Sequence, residues 1–197
     1  MNKKKLTFTQ QKYYSSNQLR RFFIKRFLKK ILEEIKNKKV INILDIGCGE
    51  GQSDKYFLKN LPKIKITGID VDDKAISEAK SNCPKMIVKK NNIYNLSFKD
   101  KSFDLVISLE VLEHLSNPQK ALKEIKRVSN KFIISVPYEP YFSLLSFLSG
   151  KYLRNLGRHP EHLQVWNKKS FSNFIKKELP KAKIKTLFPW LVAEGEL

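Results

Sequence analysis

The sequence predicts an α/β fold: a doubly wound, mainly parallel sheet with helices on both faces and a C-terminal antiparallel hairpin. Three observations support this prediction. Short apolar runs alternate with segments of helical periodicity over residues 40–137, and such alternation builds right-handed βαβ units. A length of 197 residues suits one domain with a sizeable core. The closing stretch KIKTLFPWLVAEGEL predicts two strands that turn near Pro189.

The chain opens with a polar, Lys-rich arm and a long helix, which together make up residues 1–36. From Asn17 to Lys36 apolar residues recur at helical spacing and form a wide apolar face. Two placements are open for this helix, because it can pack on the sheet of its own domain or lie on a membrane surface. Its other face is predicted to carry Arg20, Arg21, Arg26, Lys29 and Lys30.

The alternating core covers residues 40–137 and is followed by an insert, residues 138–169. The predicted strands are 40–46, 64–70, 86–89, 103–109 and 132–136. Helices are predicted through Phe57, over 73–81, over 118–128 and over 170–178. No repeat or linker divides the chain, so we expect a single domain.

Composition narrows the classes of protein without selecting a partner. The formal charge is +20, but only six of the 39 basic residues are Arg and the Lys are spread over nearly every segment. Such scatter favours solvated Lys-rich faces, with encounters with phosphates or anionic lipid as the alternative. The two cysteines, Cys48 and Cys83, form no zinc or disulfide spacing. Without a long apolar run or signal peptide, we expect a cytoplasmic protein.

Three glycines follow the first predicted strand and indicate a ligand-binding turn. The strand ends at Asp45-Ile46, and Gly47, Gly49 and Gly51 come next. Glycine permits positive φ and leaves no Cβ between the main chain and a ligand. The G-x-G-x-G spacing and the absence of a Gly-Lys-Ser/Thr sequence argue against dinucleotide and triphosphate sites. A carboxylate at Asp45 would repel a pyrophosphate but attract a cation.

The second predicted strand ends on Asp70, a side chain that can accept hydrogen bonds from a ribose diol. Together the stretches LDIGCGEG, GIDVDDKAI and NNIYNLSFKDKSFDLVISLEVLEHL resemble class I S-adenosylmethionine-dependent methyltransferases over residues 40–137. The resemblance implies a Rossmann-like fold with S-adenosylmethionine as cofactor. It assigns the methionine part to Asp45, Gly47, Cys48, Gly49 and the turn ending at Gly51, the ribose to Asp70 and Val71, the adenine to Asn92 and Ile93, and the floor beneath the sulfur to Leu109 and Glu110. Many members of the family have Asp where this chain has Asn92.

The stretch EVLEHL places Glu110, Glu113 and His114 after the fourth strand. A similar E-x-x-E-H binds Mg²⁺ in quinone-precursor O-methyltransferases and small-RNA 3′-end methyltransferases, so one hypothesis is a metal site at these three residues. The other hypothesis, which we favour, is a pocket-lining His114 without metal. In GRHPEHLQVW, His162 is a second candidate to accept a proton from an acceptor, and His159 a weaker one.

These features predict a methyltransferase acting on a small-molecule, glycan or lipid-linked acceptor, at oxygen. The insert resembles a subgroup of small bacterial and archaeal methyltransferases, and its apolar stretch 141–148 is predicted to form a lid or pocket wall. Two alternatives remain open from the sequence. The charge and the E-x-x-E-H also fit an RNA methyltransferase, and the basic first helix fits a non-catalytic protein bound at a membrane surface.

Overall fold

The computed structural model of the chain describes residues 17–149 and 152–197, so the predicted arm of residues 1–16 lies outside the described residues. The strands are β1 (Asn42–Ile46), β2 (Lys65–Asp70), β3 (Ile87–Lys90), β4 (Leu105–Leu109), β5 (Lys131–Pro137), β6 (Lys183–Leu187) and β7 (Trp190–Glu196). They form one sheet in the order β3-β2-β1-β4-β5-β7-β6. The first five pair in parallel, and β7 is antiparallel to both β5 and β6. The predicted doubly wound sheet with a closing hairpin is confirmed.

Helices cover both faces of this sheet, as the alternating pattern predicts. They are α1 (Gln18–Asn37), α2 (Gln52–Asn60), α3 (Asp73–Asn82), α4 (Pro118–Val128), α5 (Tyr141–Leu148) and α6 (Lys168–Glu178). Buried side chains of α1, α2 and α3 share one core with one face of the strands. Those of α4 and α6 share a second core with the other face. Parallel strands buried on both sides explain the continuous apolar runs of β1, β4 and β5.

Helix α1 packs on the sheet of its own domain, which was the first of its two predicted placements. Asn17 caps it by accepting from the backbone N–H of Arg20 at 3.1 Å. The buried side chains are Ile24, Phe27, Leu28, Ile31, Leu32 and Ile35. Arg20 was wrongly predicted to lie on the solvent face, because the first turn of α1 overhangs a cavity and the Arg20 side chain lines it. No helix among the described residues has both the length and the apolar character to cross a membrane.

Several elements differ from their predicted boundaries by one or two residues, and β1 begins at Asn42 rather than at residue 40. Strand β4 begins at Leu105 rather than at residue 103, since Phe103 makes only an isolated bridge with Ser129. The insert contains α5 and a short 3₁₀ turn at Leu153–Asn155. Both elements lie near the carboxyl edge of the sheet, where the cavity opens.

Arg127 on α4 holds the loop between β3 and β4, the loop that carries Asn92 and Ile93. Its guanidinium donates to the carbonyl oxygens of Leu96 at 2.9 Å and Phe98 at 2.7 Å. It also pairs with Asp100 at 2.8 Å and with both carboxylate oxygens of Glu124. Glu124 in turn accepts from the backbone N–H of Leu96. The planar fork of Arg suits this set of acceptors, which Lys cannot match.

We predict that Arg127→Met destabilises the fold by about 1–3 kcal/mol, because several charge-assisted hydrogen bonds are lost together. Urea unfolding measures the change. Lys123→Met is the matched control, since Lys123 is an exposed base on the same helix. If both variants unfold at the same urea concentration as the parent, Arg127 does not hold this loop.

Candidate active site

A cavity of about 650 Å³ opens at the carboxyl ends of β1 and β4. This is the edge where ligands gather in open parallel sheets. The glycine turn after β1 and the turn after β4 form its floor, while α1, α5 and the start of β7 form its walls. One space therefore joins the predicted cofactor loop to the predicted acceptor-side residues.

The glycine turn brings bare main chain to the cavity. Gly49 has φ +52°, and a Cβ built there would meet no atom within 4 Å, so the space above it is open. Gly47 also has a positive φ, +75°, but a Cβ there would lie 2.4 Å from Cγ2 of Val111. A side chain at Gly47 would therefore collide with Val111, whereas at Gly49 it would enter the ligand space. Gly49 is the better match to a position where a ligand approaches the backbone.

Asp70 holds this turn in place. Its carboxylate accepts from the backbone N–H of Gly49 at 2.9 Å, and also from those of Val71 at 2.7 Å and Asp72 at 3.0 Å. The carboxylate predicted to bind a ribose thus lies directly beside the glycine turn. The three accepted hydrogen bonds fix the orientation of this carboxylate.

Asp45 and Asp54 form a buried carboxyl pair beneath the turn. Asp45 is 2% exposed and lines the cavity, and Asp54 on α2 is fully buried. Burial, and then repulsion from Asp54, raises the pKa of Asp45 well above its usual range. Burial also raises the pKa of Asp54 to about 6. Two carboxyl groups in one buried site cannot both ionise at low cost, so a cationic ligand would stabilise their charged forms.

Other predicted cofactor residues divide between the cavity and its surroundings. Gly51 caps α2 and faces Met86 and Cys83 rather than the cavity. Cys48 lines the cavity and is 5% exposed, and burial raises the pKa of its thiol. Val71 is 62% exposed just beyond β2. These positions stay predictions as cofactor contacts.

The predicted adenine residues lie on the loop that Arg127 holds. Ile93 is buried in the core on the α4 face, and Asn92 is exposed. The Asn92 side-chain oxygen accepts from the backbone N–H of Tyr94 at 2.9 Å. One of its two lone pairs is therefore engaged within its own turn, and an adenine amine would use the other.

Glu110 follows β4 in a strained conformation. Its φ of +59° falls in the left-handed region, which a residue with a Cβ adopts at a cost of about 1–2 kcal/mol. Its N–H nevertheless donates to the carbonyl of Ser135 at 3.0 Å, so pairing with β5 continues up to the kink. Glu110 and Leu109 both line the cavity, and their place beneath the cofactor sulfur stays a prediction. Burial lowers the pKa of Arg20, against the opposing effect of nearby Glu110.

A second polar group gathers at the acceptor side, around the 3₁₀ turn Leu112–His114. The carbonyl of Glu113 accepts from the backbone N–H groups of Leu163 at 2.8 Å and Gln164 at 2.9 Å. These bonds bring the segment carrying His162 against the turn. Ligand atoms of Glu113, His114 and His162 then lie within 4.8 Å of one another.

This cluster overlaps the predicted metal site but is not identical to it. Glu113 and His114 belong to it, but the third possible ligand is His162 rather than the predicted Glu110. Nδ1 of His114 lies 3.1 Å from the carbonyl oxygen of Glu161. If Nδ1–H donates to that oxygen, the lone pair on Nε2 is available to accept a proton or bind a metal. His159 lies outside the cluster and stacks on His162 with ring centroids 4.8 Å apart.

Burial, together with His114 and His159, lowers the pKa of His162 to about 4. Its imidazole is therefore neutral at pH 7 and can accept a proton or bind a metal. Aromatic side chains that the sequence analysis did not single out complete this end of the cavity: Phe142, Tyr152 and Trp190. Their only sequence signal is that they fall in the insert and at the hairpin turn.

Comparison with known proteins agrees with this geometry. Residues 44–131 match the family model described as a methyltransferase domain. An uncharacterised methyltransferase of Schizosaccharomyces pombe is 36% identical over 103 residues, which cover 47% of this chain and 37% of that protein. A Mycolicibacterium smegmatis protein named "Probable S-adenosylmethionine-dependent methyltransferase" is 27% identical over 105 residues, 52% of this chain and 40% of that protein. The chain spans about two fifths of the length of these curated relatives.

The fold has solved counterparts as well. The methyltransferase domain of bacterial CtHen1 superposes with a TM-score of 0.70 at 20% identity, covering 89% of this chain and 98% of that one. This likeness concerns the fold. The family match includes the glycine turn and the turn after β4, which form the cavity floor, and Asp70, which holds the glycine turn. The chain therefore resembles the class I S-adenosylmethionine-dependent methyltransferases in sequence over residues 44–131 and in fold over most of its length.

Proposed function

We propose that this protein transfers a methyl group from S-adenosylmethionine to an oxygen of a small-molecule, glycan or lipid-linked acceptor. The observation that carries the proposal is the single cavity that joins the glycine turn to the histidine cluster. A methyl donor at one end and an acceptor at the other would share one enclosed space. Methyl transfer is an in-line displacement, for which proximity and alignment supply most of the rate.

The donor end fits S-adenosylmethionine by charge and by space. The cofactor carries a sulfonium cation and no phosphate, and such a cation would stabilise the charged form of the buried Asp45–Asp54 pair. Gly49 leaves open space for the ligand against the main chain. Asp70 has a carboxylate beside that space for the ribose hydroxyls. In this proposal the cofactor supplies the activated methyl group, and the protein orients it.

The acceptor end offers a base for a hydroxyl proton. His162 is neutral at pH 7. Both His162 and His114 line the cavity. A hydroxyl gains nucleophilicity as it transfers its proton to such an imidazole. The surrounding rings of Phe142 and Trp190 make this end apolar enough for a hydrophobic acceptor.

A second candidate function uses a metal at Glu113, His114 and His162. Two imidazoles and one carboxylate fit Zn²⁺, Mn²⁺, Fe²⁺ or Co²⁺ better than the predicted Mg²⁺, which prefers oxygen ligands. A metal there would hold an acceptor hydroxyl as its alkoxide. RNA is one such acceptor, and Arg21, Lys25, Lys55 and Lys59 line a basic groove between α1 and α2.

The cofactor assignment predicts that S-adenosylhomocysteine binds the full chain and that Asp70→Ala weakens binding by about 1–3 kcal/mol. Asp73→Ala is the control, because Asp73 is an exposed carboxylate that pairs with Lys90. Isothermal titration gives both affinities. An acceptor screen over sugars, quinone precursors, lipids and RNA with labelled methyl donor follows. Equal affinity of Asp70→Ala and the parent would contradict the ribose assignment, and absence of binding would contradict the proposal.

The metal hypothesis predicts that the chelator-treated protein binds one equivalent of Co²⁺ with visible d–d absorption. His162→Ala should abolish that absorption, whereas His159→Ala should retain it, because His159 stacks on the cluster without joining it. Retained absorption in His162→Ala, or no Co²⁺ binding by the parent, would exclude this site and leave the metal-free mechanism.

The carboxyl pair predicts how stability depends on pH. A raised pKa means that the folded state of the ligand-free protein binds more protons than the unfolded state between about pH 4 and 6. Stability should therefore fall as pH rises through that window. Asp54→Asn removes the charge and should be more stable than the parent by about 1–3 kcal/mol at pH 7, with no gain at pH 4. Urea unfolding at both pH values tests it, and a less stable variant at pH 7 would contradict the assignment.

A further inference from the structure

Helix α5 is strongly apolar, yet none of its residues is buried. Its sequence is YFSLLSFL. Tyr141, Leu144, Phe147 and Leu148 are exposed by 43%, 52%, 39% and 71%. Proteins in solution seldom expose so many large apolar side chains together unless the patch binds another molecule or a membrane.

The exposed side chains of α5 continue into a larger patch, which we call the apolar rim: Leu19, Phe22, Tyr141, Leu144, Phe147, Leu148 and Leu156. Leu19 and Leu148 line the same cavity from α1 and α5. Ring contacts at 5.7 Å connect Phe22 to Tyr141 through Phe23 and Phe188. Leu156 precedes Gly157, whose backbone lies directly against Ser143 and Phe147 of α5. The apolar rim thus reaches the cavity at Leu19 and Leu148.

Only positive charge accompanies the apolar rim along these segments. Residues 17–32 and 141–160 contain no Asp or Glu. The described bases that are exposed on these two segments are Arg21, Lys25, Arg26, Lys29, Lys30, Arg154 and Arg158. Apolar side chains ringed by bases are the arrangement found on helices that lie in an anionic lipid interface.

We propose that the apolar rim docks on an anionic membrane surface, with α5 and the first turn of α1 in the interface. The cavity mouth would then face the lipid, so a lipid-linked acceptor could enter without crossing water. That last step rests on the proposed function, whereas the docking itself does not. Entry of the acceptor from the membrane would favour the lipid-linked acceptor among those proposed above.

Two other occupants of the apolar rim fit less well. A second copy of this chain would bring one basic rim against another, and each copy carries a formal charge of +20. RNA would use the bases but leave the aliphatic side chains of Leu144, Leu148 and Leu156 without a role. Charge and apolar character are both used only at an anionic lipid surface.

The test is flotation of the full chain with phosphatidylcholine vesicles that contain or lack phosphatidylglycerol. We expect binding to the anionic vesicles, and at least about tenfold weaker partitioning for Leu144→Asp/Leu156→Asp. Neither residue lines the cavity. The matched control is Ile87→Asp, since Ile87 is 57% exposed at the amino end of edge strand β3 and should not affect flotation.

Binding of S-adenosylhomocysteine by every variant separates this proposal from the proposed function and shows that the variants fold. Flotation lost in the rim variant but kept in Ile87→Asp supports docking, even if no methyl transfer is found. No flotation of the parent, or equal loss in both variants, overturns it. A parent that sediments as a dimer and becomes monomeric only in the rim variant also overturns it, because the rim would then join two copies.

Discussion

The attachment of the glycine turn to the end of β2 is the constraint on which the site depends. Three successive backbone N–H groups donate to that strand end: Gly47 and Cys48 to the carbonyl of Ile69, and Gly49 to the carboxylate of Asp70. Parallel pairing of β1 with β2 places these groups in register. The turn is therefore fixed before any ligand binds, and its open side at Gly49 faces the cavity. Such preorganisation lowers the cost of ordering a site on binding.

The three carboxyl groups around the glycine turn differ in their hydrogen-bond donors and in their burial. Asp70 accepts hydrogen bonds from three backbone N–H donors. Asp45 and Asp54 have no comparable set of donors and lie in the core, so their charge is costly without a cation. A ligand with a positive sulfur would relieve that cost, and a neutral one would not. The same residues that define the fold at this edge thus favour a charged cofactor.

The features that the sequence predicted correctly are those determined by residues close together in the chain. Helix α4 matches its predicted bounds, since Asn117 caps it and Pro118 occupies the first turn, and β1 with its glycines follows from a β-branched run ending at Gly47. Contacts between distant segments were not predictable in this way. The link from Glu113 to the backbone of Leu163 spans the whole of α4, β5 and α5, so nothing local places His162 beside His114. Periodicity likewise placed Arg20 on the outer face, although the overhang of α1 turns it into the cavity.

The same distinction explains why the net charge alone carries little meaning. A charge of +20 spread over many Lys residues is equally compatible with solvation, RNA and lipid, because each of these contacts needs only positive potential. What differs between the two regions is the type of residue that neighbours the bases. Around β3 the bases border an edge strand, and Lys90 is paired with Asp73. Around α5 they border large apolar side chains at the mouth of a cavity, with no acidic residue on the same segments. Under the docking proposal, a few of the bases gain a role from their place on the segments that carry the apolar rim.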